Sequence, residues 1–294
     1  MIKEKTVRWL SYPAVMGLVI AAELMILYND LPYWPLSPLI VAAGILCVAL
    51  LERVQPYQAE WNQDHNDTLV DVLHAAFSLT LIIAVVEIVA ITRELLPIAS
   101  LWPPQLGIVW QLLIAGLIID FGLWFMHWLS HKSDILWRLH ALHHSSERLY
   151  WLNGERRHPL SAVLLASPGL MVTILLGAPA SVIGAWFAIV GVHLAFQHAN
   201  LNYTVGAFRK LLGVAEVHRW HHKREFEDAQ VNYGEFWMLW DQLFGTYREG
   251  QNGVVAGDVG IRESMPLGYI AQLAWPFQSK YSLNTSSNKH IAKK

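Results

Sequence analysis

Long apolar runs separated by short polar stretches organise this chain. The clearest runs cover about 11–28, 35–51, 69–92 and 106–127, close to the ~20 residues an α-helix needs to cross the hydrocarbon core of a bilayer. They read as helices because inside that core each backbone N–H and C=O must find its partner within the segment. A further apolar block, 160–197, is interrupted by "SPGL" at 167–170 and "GAPA" at 177–180. Those residues stop and turn helices, so the block divides into shorter segments at 160–176 and 180–197, which either cross or dip in and return. The polar stretches 128–159 and 199–250, with helices expected around 206–225 and 235–244, form a cap outside the bilayer. The expected fold class is all-α integral membrane, with four to six membrane-embedded helices and a helical cap. It forms a single domain over 1–280, followed by a polar tail at 281–294.

Composition and charge agree with that layout. Of 294 residues, 54% are hydrophobic and only 15% charged, against about 25% charged in an ordinary soluble domain. The 14 tryptophans suit a protein whose rings sit at headgroup level. Lys3, Lys5 and Arg8 precede the first run, and every other Lys and Arg except Arg93 falls on the same side as they do. The excess of basic residues marks that side as cytoplasmic, in a bacterial inner membrane or in an endoplasmic reticulum. A basic start before an apolar run also opens secretory leaders, but Glu23, the lack of a small-residue cleavage site and the later runs argue against one here. The basic residues are spread over loops, which topology already explains, so nucleic acid is not an expected partner. The single cysteine, Cys47, lies in an apolar run and excludes both an intrachain disulfide and a cysteine-built metal site.

Histidine is what the composition supplies in place of cysteine. His127 and His131 close the fourth run, His140, His143 and His144 follow in "RLHALHHSSE", and His218, His221 and His222 stand in "VHRWHH". Residues three and four apart share a helix face, so each cluster can aim its rings at a common point. All three clusters fall on the predicted cytoplasmic side. A lone HxxxH pair is more often a pair of satisfied polar residues than a metal site. Eight imidazoles packed as ordinary core would need many hydrogen-bond partners, whereas neutral imidazole is a good ligand for iron, zinc and copper. Four imidazoles satisfy one tetrahedral zinc; eight or more suggest two ions. Iron matches the ligand types best, and zinc stays open. His193 and His198 are five apart and converge only if the helix ends or tightens between them. His158, in "ERRHPL", is a ligand, an outer donor to a ligand or a headgroup contact.

Carboxylates inside a membrane are costly and call for a reason. Asp120 lies seven residues before His127 and on its face, placed either to accept a proton from a ligating ring and fix its tautomer or to take an interhelical hydrogen bond from a tryptophan or serine. Glu147 and Asp241, nearer the cap, are expected to orient histidines or to pair with Arg138, Arg156 or Arg157. Glu23, Glu87 and the Asp71/His74 pair receive no chemical role from sequence.

The pattern resembles the histidine boxes of the membrane fatty acid hydroxylase and sterol desaturase superfamily. The boxes are His127-x3-His131, His140-x2-His143-His144 and His218-x2-His221-His222, with "RRHPL", "HAN", "NYG" at 232–234 and "WDQLFGTY" at 240–247 in support, so the likeness covers roughly 115–248. It implies an integral membrane, non-haem di-iron enzyme holding two Fe ions, cycling between Fe2+ and Fe3+. Such an enzyme uses O2 and external electrons to hydroxylate or desaturate a fatty acyl chain, a sterol or a related lipid. The implied ligands are His127, His131, His140, His143, His144, His198, His218, His221 and His222, with His193 a tenth. The stretch around "HHSSE" is also similar to that of alkylglycerol monooxygenases, which makes ether-lipid cleavage a second expected reaction. Trp128 stands where many relatives carry arginine, and the gap between His193 and His198 is wider than in some. The chain shows no haem or flavin motif, so the electrons are expected from a separate protein or a diffusible reductant. The competing readings are a zinc-dependent membrane hydrolase, which would work without oxygen, and a non-enzymatic metal-binding or transport protein.

Overall fold

The computed structural model describes residues 2–95, 99–250 and 253–278. The polar tail expected at 281–294 lies outside the described residues. Six helices are long and apolar enough to cross a membrane: α1 (Ile2–Tyr28), α2 (Tyr33–Val54), α3 (Thr68–Leu95), α4 (Ile108–Ser130), α6 (Pro159–Leu176) and α7 (Ala180–His198). The protein is an all-α, multi-pass integral membrane protein. Between and after these come four shorter helices among the described residues, α5 (Asp134–His144), α8 (Ala215–His221), α9 (Leu239–Phe244) and α10 (Tyr269–Ala274).

The two halves of the broken apolar block are separate helices of membrane length joined by a tight turn. Gly177 ends α6 in the left-handed region, at φ 88°, and Pro179 caps the start of α7. A glycine adopts that conformation without the Cβ penalty, and proline fits just before a helix's first turn. Pro168 and Gly169, read as part of the break, lie inside α6. Gly169 has a packing role there: a Cβ on Gly169 would lie 2.6 Å from the Ile118 carbonyl oxygen, and one on Gly122 would lie 2.3 Å from the Gly169 nitrogen. Small residues at that crossing let the α4 and α6 backbones touch, the usual way helices associate where lipid offers no hydrophobic drive.

α7 is the central post, packed by α1, α2 and α4, while α6 packs along α4 and α3. Its face carries Val182, Trp186, Ile189 and Phe196, all buried in one cluster with Ile119 and Leu123 of α4 and Leu165 of α6. α3 is the peripheral helix, and its buried residues, Asp71, His74, Ala75 and Ser78, all lie in its first turns. Leu79, Ile83 and Ile88 further along are exposed, the surface a bilayer would cover.

The cap and the chain's early polar segments meet at one end of the bundle. The Thr204 N–H donates to the Arg8 carbonyl at 2.8 Å, Gln55 Nε2 to the Asn202 carbonyl at 2.9 Å, and buried Arg148 to Asp67. That end therefore gathers the starts of α1, α3 and α6 and the ends of α2, α4 and α7, as six full crossings require. The cap is less helical than its pattern suggests. The expected helix over 206–225 is a 3-10 turn, Gly206–Lys210, then the short α8, because the chain bends at Gly213 to donate its N–H to the Phe236 carbonyl at 2.9 Å.

Candidate metal centre

Nine histidines converge at the junction of bundle and cap. His127 sits in the last turn of α4 and His131 just beyond it; His140, His143 and His144 are on α5; His198 ends α7; His218 and His221 are on α8 and His222 follows it. They form two buried groups. His127, His131, His140, His144 and His221 make one, and His143, His198, His218 and His222 the other, with the ligand atoms of each group within 4.8 Å of one another. The split follows from helix geometry. Adjacent residues are turned about 100° apart on a helix of 3.6 residues per turn, so His143 and His144 part into different groups, as do His221 and His222. The groups adjoin: the ring centroids of His144 and His222 are 4.6 Å apart.

In the four-histidine group the Nε2 atoms face inward. His198 to His218 is 3.0 Å, His218 to His222 3.0 Å, His198 to His222 3.3 Å and His143 to His198 3.4 Å. Ligand nitrogens about 2.0–2.1 Å from one ion stand about 3.0–3.4 Å from each other, so the spacing fits a shared metal. In the five-histidine group, the Nε2 atoms of His127, His131 and His221 have no hydrogen-bond partner although they are buried. Such atoms are costly in a protein interior unless something occupies them, and a metal ion could.

Carbonyls hold the rings for that task. His127 Nδ1 donates to the Tyr233 carbonyl at 2.8 Å, His221 Nδ1 to the Val231 carbonyl at 2.8 Å, and His198 Nδ1 to the Leu194 carbonyl at 3.0 Å. Donation through Nδ1 leaves the Nε2 lone pair for a metal. Burial pushes the pKa of His131, His140, His143, His144, His218, His221 and His222 well below the usual value, and neighbouring imidazoles push it further. The rings are therefore neutral at neutral pH, the form that binds metal.

The other residues singled out from sequence lie elsewhere. His193 stands apart from both groups, with Nδ1 accepting from the Tyr12 hydroxyl at 2.8 Å and Nε2 donating to the Gly213 carbonyl at 3.1 Å. His158 caps the start of α6 and reaches the Leu273 carbonyl at 3.3 Å. Asp120 touches neither His127 nor His131; it accepts from the Phe236 N–H and the Trp240 indole, each at 2.9 Å, and so pins the segment after Glu235 to α4. Glu147 is exposed and lies 3.5 Å from Arg224. Asp241 acts at one remove. It accepts from the Tyr233 N–H at 2.9 Å and the Gly234 N–H at 2.7 Å, which fixes the loop whose carbonyl orients His127.

Sequence reasoning passed over Glu235 and gave Arg157 only a generic pairing role. The Glu235 carboxylate is 3.5 Å from His127 Nδ1 and 3.3 Å from Arg157 Nη2, with all three side chains buried. Nothing in a one-residue charge signal distinguishes Glu235 from a surface carboxylate. Gly154 was equally unmarked, yet a Cβ there would lie 3.1 Å from His198 Nδ1.

Comparison with known proteins gives the same picture. The model of the fatty acid hydroxylase family matches residues 112–246, which hold all nine histidines. The chain is 32% identical over 252 residues to the ornithine lipid hydroxylase OlsE of Rhizobium tropici, covering 80% of this chain and 74% of that protein. It is 28% identical over 166 residues to the alkylglycerol monooxygenase of Homo sapiens, covering 50% of this chain and 33% of that protein. No solved structure matches.

Proposed function

The chain belongs to the fatty acid hydroxylase family, and from that premise we propose that it is a di-iron monooxygenase hydroxylating a membrane lipid whose headgroup is an amino acid. Membership makes it an oxidoreductase acting on lipid with O2. The choice of headgroup follows a relative named for its action on ornithine lipid and similar over most of both chains. The observation that carries the reading is the pair of adjoining groups of buried neutral imidazoles. Five nitrogens exceed what tetrahedral zinc takes, and an all-imidazole set suits iron.

Bound there, the two irons would supply the reduction of O2 and the oxidation of a C–H bond: one oxygen atom enters the lipid, the other leaves as water, and electrons come from outside the chain. The protein's own residues do the rest. His127, His131, His140, His144 and His221 would hold one ion and His143, His198, His218 and His222 the other. The carbonyls of Tyr233, Val231 and Leu194 keep the ring protons on Nδ1. The buried surround excludes water, which raises the worth of each electrostatic contact. The electron donor is a separate protein or a diffusible reductant. The distribution of basic residues supports placing the cap in the cytoplasm.

The test is incubation of iron-loaded protein in bilayer discs with ornithine lipid, a reductant and ¹⁸O2, followed by lipid mass spectrometry. A singly labelled hydroxylated lipid, absent with His221→Ala, is expected; turnover without oxygen, or with zinc alone, would refute the reading. The likeness to alkylglycerol monooxygenase favours ether-lipid cleavage as the second reading, and release of an aldehyde from an alkylglycerol in the same assay would select it.

A further inference from the structure

Between the lipid-facing helices and the histidines lies a short 3-10 turn, Trp151–Glu155, whose neighbours are almost all satisfied. The turn packs against α2, α3, α5 and α7. α2 packs along α1 and α7 while α3 packs along α6, so the turn lies across the seam between α2 and α3. It is rigidly built. Asp71 at the top of α3 accepts from the Tyr150 hydroxyl at 2.7 Å and pairs with Arg156, and Glu52 at the end of α2 accepts from the Trp151 N–H at 3.1 Å. Gly154 in the turn lies directly against the His198 ring.

Glu52 uses one carboxylate oxygen and leaves Oε1 without a partner, whereas Glu155 uses neither. Its flanking residues Gly154 and Arg156 are buried, but its own side chain keeps part of its surface accessible. Among the described residues its carboxylate makes neither a hydrogen bond nor an ion pair. The nearest guanidinium is already engaged: Arg157 donates to the Gly154 carbonyl at 2.7 Å and pairs with Glu235 at 3.3 Å. Burial pushes the Glu155 carboxyl up, and Glu235 adds to that while Arg157 opposes it. A carboxyl so placed gains most from an arriving cation, which restores its charge and supplies the missing hydrogen bonds.

We propose that Glu155 binds the ammonium group of the lipid's headgroup beside the histidine groups, where its charged neighbours are Arg157 and Glu235. The inference rests on the amino-acid-headgroup reading above and names the residue that makes the selection. An acyl chain brought to the same place would meet an unpaired carboxylate and gain nothing from it. An ornithine headgroup, by contrast, carries a side-chain ammonium.

The test measures binding as well as turnover, with full-length protein in bilayer discs. Ornithine lipid and the same lipid acetylated on its side-chain amine are titrated against the wild type and Glu155→Gln, and dissociation constants are read by native mass spectrometry. The wild type is expected to bind the ammonium form about tenfold or more tighter than the acetylated form, the worth of one buried charge-assisted hydrogen bond. Glu155→Gln removes that preference while keeping wild-type iron content. Equal binding of the two lipids by the wild type, or a preference retained in Glu155→Gln, would each overturn the proposal. The wild-type comparison of the two lipids stands even if the variant fails to fold. Discrimination in binding without hydroxylation of either lipid would refute the proposed reaction and leave the recognition role intact. Hydroxylation of both forms with equal affinity would do the reverse.

Discussion

The two histidine groups share two helices and the same ligand type, yet they are held differently. The five-histidine group hangs on the loop 230–234, which supplies carbonyls to His127 and His221 and the Gln230 amide 3.1 Å from His131. The four-histidine group has one such anchor, the Leu194 carbonyl on the same helix as His198, and relies on Gly154 for room beside the ring. One group is thus fixed from outside by an irregular loop and the other from within by helix packing. Redundancy differs as well: losing one ring leaves four nitrogens in the first group and three in the second.

That difference sets the order of the expected effects. The largest is His218→Ala, which should remove the second ion, lower iron from two to one per chain and cut turnover by more than about a hundredfold. His144→Ala should retain more metal, and equal losses from both by metal analysis would erase the distinction. Next is acid. The neutral imidazoles of the cap titrate near 6.5 in an unfolded chain and well below that when folded. The unfolded state therefore binds more protons as pH falls. The stability of metal-free protein should hold above about pH 6.5 and decline progressively below it, read as melting temperature against pH after chelation. With metal bound, the four-nitrogen group should release its ion first on acidification.

Asp241→Asn should weaken the five-histidine site by about 10–100-fold, because it puts a donor where the Tyr233 and Gly234 N–H groups now donate. Metal content of the other site should not change, and spectroscopic titration of iron separates the two. Gly154→Ala has the opposite target and a smaller effect, a few-fold loss at the four-histidine site, since His198 must give by only a few tenths of an ångström. Smallest is Lys223→Ala. It breaks a half-exposed pair with Asp228 next to His222, worth about 0.2–1 kcal/mol, and should leave metal content untouched.

Much of this was legible in the sequence, for a physical reason. Membrane-length apolar runs and i, i+3, i+4 histidines are local signals, and local signals survive without a structure: the six helices lie where the runs do, and the clusters lie on α4, α5 and α8. His198 and His193 mark the limit. Both lie on α7, but the ring that joins the metal group is set apart by Gly154 against His198 and by Tyr12 on His193, contacts between residues far apart in sequence. The same holds for Asp120, whose spacing puts it on the face of His127 while the Phe236 segment, arriving from the cap, takes its oxygens. The short cap helices were overestimated because the polar pattern there resembles a helix until Gly213 pairs with Phe236.

Each ion would draw its ligands from α5 and α8 together with one crossing helix, α4 or α7, and neither set is complete until α8 has been made. A chain still emerging from the ribosome can thus place α1 to α4 in the bilayer and fold α5 without being able to retain metal. Iron would enter only after the sixth crossing has returned and the segment beyond it has docked, so that metal acquisition reports a finished topology. A misinserted chain, with α7 inverted, would carry His198 to the wrong side of the membrane and stay metal-free, which gives quality control a chemical mark to read.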